Sequence, residues 1–171
     1  MSKTLIIDDN RELAKILSAE LTRRGHIVHC AHSGQEGLAL LDRVVPDLIF
    51  LDLRLPDMNG TDVLAPARAR CPGAEGVIMT AYPHLSSALA AIKGRVVDYL
   101  CKPFTFEELT PVLERALHHR ERQQERAHEH ALEQRDERPH LSFRQLVHAR
   151  EVEPRGGVPA RARDHQTAGR L

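Results

Sequence analysis

Long apolar runs are missing from this 171-residue sequence. No stretch reaches the roughly 20 residues needed to cross a bilayer, and Met1-Ser2-Lys3 leads straight into a short apolar run without a signal-peptide core. The expectation is a soluble, cytoplasmic protein with no membrane attachment. Net charge of one sign is missing too, since 24 Lys and Arg balance 24 Asp and Glu. Bulk charge therefore points to neither nucleic acid nor an anionic membrane. Cysteine is scarce: Cys30, Cys71 and Cys101 are odd in number and far apart, with no spacing of a metal site or a disulfide framework. A reducing compartment suits them. A G-x-x-x-x-G-K-[ST] nucleotide loop is absent as well.

What is there is alternation. Short runs rich in Val, Ile and Leu fall at Thr4 to Asp8, Ile27 to Ala31, Leu48 to Asp52, Val77 to Thr80 and Val96 to Cys101. They read as strands buried on both faces of a parallel sheet. Between them lie segments of helical period. Leu13, Ile16, Leu17 and Leu21 form one face of a first helix, stopped by Gly25. Ser33 with Glu36 is a capping box for a second, carrying Leu38 and Leu41. A third follows Asn59-Gly60, and a fourth is marked by Leu85, Leu89 and Ile92 and closed by Gly94. Thr105 with Glu108 opens a fifth, with Leu109, Leu113 and Leu117 on its buried side. Five βα units imply an α/β, doubly wound (βα)5 fold with right-handed crossovers.

Such sheets work beyond the carboxyl ends of their strands. Standing there are Asp8 and Asp9 after the first strand, Asp52 after the third, Thr80 after the fourth and Lys102 after the fifth. Three carboxylates, a hydroxyl and an ammonium thus share one rim. Adjacent carboxylates raise each other's pKa and oppose compaction unless a cation lies between them, so the Asp8-Asp9 pair calls for one.

The segments "LIIDDN", "LIFLDLRLPDMNG", "VIMTAYP" and "VDYLCKPF", in this order, resemble the receiver domains of two-component response regulators, most nearly those of enhancer-binding transcription activators. The resemblance covers residues 3 to 120 and implies a flavodoxin-like sheet of strand order 2-1-3-4-5. It implies that Asp52 accepts a phosphoryl group from a sensor histidine kinase, forming an acyl phosphate; a carboxylate is ionised near neutral pH and needs no general base. Asp8, Asp9, Asp52 and the backbone carbonyl of Arg54 would hold a Mg²⁺ ion, a hard cation that takes oxygen ligands. Lys102 would meet the same phosphoryl oxygens, Thr80 would bond one of them as its loop moves inward, and Tyr99 would fill the space behind Thr80. The Lys102–Pro103 bond is expected to be cis. The output surface implied is the face of the fourth helix, fifth strand and fifth helix, contacting an unnamed downstream protein. Such a protein is a regulatory phosphoacceptor and not an enzyme in the ordinary sense.

Two prolines depart from the pattern. Pro66 lies within the third helical segment and Pro111 within the fifth, where each removes a hydrogen bond and costs up to ~3 kcal/mol in a fully interior position. Kinked or late-starting helices are expected. The domain plan places a receiver at 1–120, a charged helical extension at 121–138 and a low-complexity, disordered tail at 139–171. In the extension Ala127, Ala131 and Leu132 make a thin apolar seam, so a solvated helix is favoured over a coiled-coil homodimer. His128 and His130, two apart, diverge on a helix and do not make a metal site. The tail, rich in Arg, Gly and Pro, lacks periodicity. An alternative function is a transcription regulator, or the remnant of an enhancer-binding activator, with output in or lost from that tail. Direct DNA binding by the tail is disfavoured, because three acids stand against its six arginines and no recognition helix is apparent in it.

Arg54, two after the acceptor, and Tyr82, two after Thr80, should overhang the path of water to an aspartyl phosphate. The phosphorylated form should therefore be long-lived. Its decay is expected to accelerate in Tyr82→Ala and further when Arg54→Ala is added; equal half-lives in all three proteins would remove the shielding role.

Overall fold

The computed structural model describes residues 1–81 and 96–136, with side chains up to 133. The expected helix at Leu85 to Gly94, Tyr82 and the tail lie outside the described residues. Met1–Leu132 forms one unit and contains the sheet; of a second, Glu133–Leu171, only the end of the last helix is described.

Five strands, β1 (Lys3–Ile7), β2 (Ile27–Ala31), β3 (Leu48–Asp52), β4 (Glu75–Thr80) and β5 (Asp98–Cys101), pair in parallel in the order β2-β1-β3-β4-β5. This is the flavodoxin-like doubly wound sheet. The described helices are α1 (Arg11–Arg23), α2 (Gly34–Val44), α3 (Gly60–Arg70) and α4 (Phe106–Asp136), the last being the helix expected as the fifth. β3, central in the sheet, is buried along its whole length.

The alternation of side chains along the strands divides the core in two. On one face Leu5, Ile7, Ile49, Leu51 and Ile78 pack with Leu41 of α2 and Val63, Leu64 and Ala67 of α3. On the other, Ile6, Phe50, Val77, Met79 and Leu100 pack with Leu17 and Leu21 of α1 and Leu109, Leu113 and Ala116 of α4. The apolar face of α1 is rotated from the expected one: Ala14, Leu17 and Leu21 are buried, whereas Ile16 is half exposed. The small Ala14 is turned into the core and Ile16 is left at its margin.

One of the two capping boxes closes: the Thr105–Glu108 pair bonds in both directions, at 2.8 and 3.3 Å. In the other, Glu36 N donates to Ser33 Oγ at 3.1 Å, but the Glu36 carboxylate reaches one residue further back and accepts His32 N at 2.7 Å. The prolines do not delay their helices. α3 begins at Gly60 and runs through Pro66, and α4 begins at Phe106, five residues before Pro111. The carbonyls four residues earlier, which each proline leaves without a donor, belong to Asp62 and Glu107. Both residues are exposed, so water can take the place of the missing N–H.

α4 is also held by charge. Arg115 pairs with Asp98, His119 with Glu75 at 2.8 Å and Arg120 with Asp47, placing one helix face along the amino ends of β5, β4 and β3. Nearer its start, Thr110 accepts a hydrogen bond from Arg24, whose guanidinium together with that of Arg23 encloses Glu20. Hydrogen bonds from Arg23 and Arg24 hold the Glu20 carboxyl well below its usual range, at about 2.

A depressed carboxyl pKa stabilises the fold above the unfolded value and loses that contribution as pH falls through the folded value. For Glu20 the window runs from 4.5 down to about 2. Glu20→Gln is expected to melt a few degrees below wild type at neutral pH, and the difference should shrink across that window in thermal melts at stepped pH.

Candidate functional site

Strand register assembles the rim. Ile7 is paired with Leu51, so Asp8 stands level with Asp52, which is itself paired with Met79; Thr80 follows, paired with Cys101, and Lys102 comes next. Asp8 and Thr80 are fully buried and Asp52 nearly so, at 8 % exposure, while Asp9 is exposed. One carboxylate oxygen from each of Asp8, Asp9 and Asp52 lies within 4.8 Å of the others. The Lys102 ammonium reaches in from the end of β5, donating to Asp52 Oδ2 at 2.5 Å and lying 2.6 Å from Asp8 Oδ2.

The charges do not balance. Two like charges some 5 Å apart repel by about 3 kcal/mol at the effective dielectric of ~20 typical of protein sites. One ammonium set against three carboxylates leaves a negative pocket. Burial pushes the Asp8 carboxyl above the usual range; Lys102 and the Asn10 N–H pull it down, and the charge of Asp52 raises it. Burial alone would lower the Lys102 pKa, but its contacts with Asp52 and Asp8 outweigh this and hold it above the usual lysine range.

A divalent cation fits this donor set. Asp8 Oδ2 is buried, and the ionic contact with Lys102 falls outside hydrogen-bond angles, so that oxygen accepts no hydrogen bond. The donors are all oxygen, the preference of Mg²⁺.

The loop after β3 is shaped around Asp52. Arg54 N donates to Asp52 Oδ1 at 3.0 Å, turning the other oxygen toward Lys102, and Gly60 N closes the loop on Leu53 O at 2.8 Å. Gly60 has no alternative: a Cβ there would meet the Asp52 carbonyl oxygen at 2.1 Å. Sequence reading took Asn59-Gly60 only as a helix start and missed this close approach.

Other expected site residues divide. The Lys102–Pro103 bond is cis. Thr80 occupies the rim, and its carbonyl accepts the Lys102 N–H at 2.7 Å. Tyr99, expected to fill the space behind Thr80 once that loop moves inward, is 54 % exposed here. β5 is the edge strand, and Tyr99 projects from the face opposite Leu100, where no neighbouring strand lies beyond it. Arg54 is exposed beside Asp52.

Residues 4–114 match the response regulator receiver domain. The chain belongs to the response regulator receiver family. Its relatives include the regulatory protein AtoC of Escherichia coli (strain K12), 32 % identical over 130 residues that make up 76 % of this chain and 28 % of AtoC. The chain thus spans about a quarter of the length of AtoC, and a similar share, 26 %, of the transcriptional regulatory protein ZraR of Salmonella typhimurium, with 37 % identity over 67 % of this chain. Among solved structures, TrrA of Thermotoga maritima in complex with Mg²⁺ and BeF superposes with a TM-score of 0.61 at 28 % identity, covering 68 % of this chain and 99 % of TrrA. Receivers of this family belong to two-component systems and are regulatory rather than ordinary enzymes. No helix among the described residues is long and apolar enough to cross a membrane.

A carboxyl with a raised folded pKa destabilises the fold once it ionises, so its cost grows as pH rises from the unfolded value through the folded one. Metal-free Asp8→Asn is therefore expected to melt a few degrees above wild type at neutral pH. Mg²⁺ should reverse the order, because wild type gains about 2.7 kcal/mol at a hundredfold excess over Kd and the variant gains less. Melts of Asp9→Asn complete the test: an undiminished gain would exclude Asp9 as a ligand.

Proposed function

We propose that this chain is a phosphoacceptor response regulator that takes a phosphoryl group on Asp52 from a phosphohistidine of a sensor histidine kinase. The observation that carries the reading is the Lys102 ammonium held between Asp52 and Asp8, at 2.5 and 2.6 Å. An Asp52 carboxylate oxygen attacks phosphorus; the phosphorus–nitrogen bond breaks, and the imidazole keeps the electron pair. Phosphoryl transfer is chiefly positioning and charge stabilisation. Lys102 supplies a preorganised positive charge where the phosphoryl oxygens arrive, and Arg54 N–H fixes the orientation of the attacking group. Asp8, Asp9, Asp52 and the Arg54 carbonyl would hold a Mg²⁺ ion, which would supply further positive charge to the carboxylates and the incoming oxygens.

The signal then leaves through Thr80 and Tyr99. Thr80 bonds the phosphoryl group, its loop moves inward, and Tyr99 turns from its exposed position toward the space vacated. The change alters the surface around β5 and α4, where a downstream protein binds. The protein works in the cytoplasm, with a receiver at 1–120, a helical extension at 121–138 and a low-complexity tail at 139–171. A second reading, control of transcription, is favoured by relatives such as the transcriptional regulatory protein ZraR.

Incubation with acetyl phosphate and Mg²⁺ is expected to add one phosphoryl group, read by intact mass, and Asp52→Ala should abolish it. Undiminished labelling of Asp52→Ala would overturn the assignment of the acceptor. A salt-titrated DNA-binding assay on the full chain separates the two readings.

A further inference from the structure

The turn that follows the acceptor is tied to a different helix. Asp57, five residues after Asp52, places both carboxylate oxygens on the first turn of α2: Oδ1 accepts Gly34 N at 2.8 Å and Oδ2 accepts Gln35 N at 2.9 Å. The first N–H groups of a helix have no partner within it. Here Ser33 Oγ takes Glu36 N and the Ser33 carbonyl takes Gly37 N, leaving the first two to Asp57. Beside it Met58 covers Gly34 so closely that a Cβ at Gly34 would lie 2.4 Å from Met58 Cγ.

Gly60 N to Leu53 O, Leu53 N to Met79 O, the bridge between Arg54 and Asn59, and Arg54 N to Asp52 Oδ1 all lie at the base of the 53–59 loop. Asp57 ties the outer turn of that loop to α2. A carboxylate on the positive end of a helix is a favourable pair even where solvent reaches it. We infer that Asp57 is a positioning residue for phosphoryl transfer: by clamping the acceptor loop to the first turn of α2, it keeps Arg54 N–H on Asp52 Oδ1 and thereby aims Asp52 Oδ2 at Lys102. The backbone hydrogen bonds from Gln35 and Gly34 also hold the Asp57 carboxyl below its usual range, in keeping with a carboxylate committed to this contact. The inference rests on the phosphoacceptor reading of Asp52.

Two caps on one helix provide the control. Asp57→Ala loses two bonds to α2 and frees the loop, whereas Ser33→Ala loses a cap of the same helix and leaves the loop clamped. With acetyl phosphate and Mg²⁺, Asp57→Ala is expected to label about tenfold more slowly than wild type, as misplacement of a reacting group does, and to show a smaller Mg²⁺-induced rise in Tm. Asp57→Asn, whose amide oxygen still accepts one N–H, should recover most of the rate. Ser33→Ala should melt lower yet label at the wild-type rate. Wild-type labelling by Asp57→Ala, or equal slowing in Ser33→Ala, would overturn the positioning role. If wild type itself takes up no phosphoryl group, the phosphoacceptor reading fails separately. The clamp is then decided by amide resonances: Asp57→Ala must shift Arg54 as well as Gly34 and Gln35, and an unmoved Arg54 signal would overturn it.

Discussion

An ammonium set between two buried carboxylates governs the working edge of this protein. Lys102 arrives from β5, Asp8 from β1 and Asp52 from β3, so the contact spans the sheet from its first strand to its last. Buried charges cost several kcal/mol each in lost hydration unless they are paired, and the partners here lie on three strands that must all stop at the same height. The parallel register meets that demand: Asp8 is level with Asp52, and Lys102 lies just beyond the partner of Thr80. The pairing is also incomplete, since Asp9 adds a third carboxylate to the same small volume. That excess of negative charge is what makes the rim a place for a cation and not merely an internal salt bridge.

The opposite edge is held by the same kind of force for a different purpose. At the amino ends of β3, β4 and β5, Asp47, Glu75 and Asp98 meet Arg120, His119 and Arg115 of α4. These pairs are mostly more exposed and are worth little individually, but together they set the rotation of the helix whose apolar face covers Leu100 and Met79. α4 is therefore secured by packing along the sheet and by charge at one end. The carboxyl edge of the sheet carries the three carboxylates and Lys102 instead.

Between the edges, close backbone contacts transmit position. Gly60 lets the start of α3 rest on the Asp52 carbonyl, and Asp57 lets the same loop rest on the start of α2. Two helices and a strand thus converge on the loop that follows Asp52. The family relationship and these contacts support one another: receivers share the carboxylate rim, while this chain's own loop residues decide how firmly the rim is held.

Much of this was legible in the residues alone. Val, Ile and Leu runs of strand length between helical segments imply a parallel sheet, because only strands covered on both faces are apolar throughout, and the residues ending those runs named Asp8, Asp9, Asp52, Thr80 and Lys102 in advance. The Ser33 cap and the Thr105–Glu108 box were readable for a similar reason, since their partners lie three residues apart. Other features were not. The outward position of Tyr99 depends on β5 being an edge strand, and the exposure of Ile16 on how closely α1 approaches the sheet. The survival of helix through Pro66 and Pro111 depends on which carbonyls face water, and the clamp of Asp57 on residues 22 and 23 positions away. Sequence by itself determined the order of elements and the chemistry at the strand ends, because both follow from short-range periodicity and residue type. Tertiary structure decided which side chain meets which, because contacts between distant segments follow from register and helix rotation, and these are set only when the whole core packs.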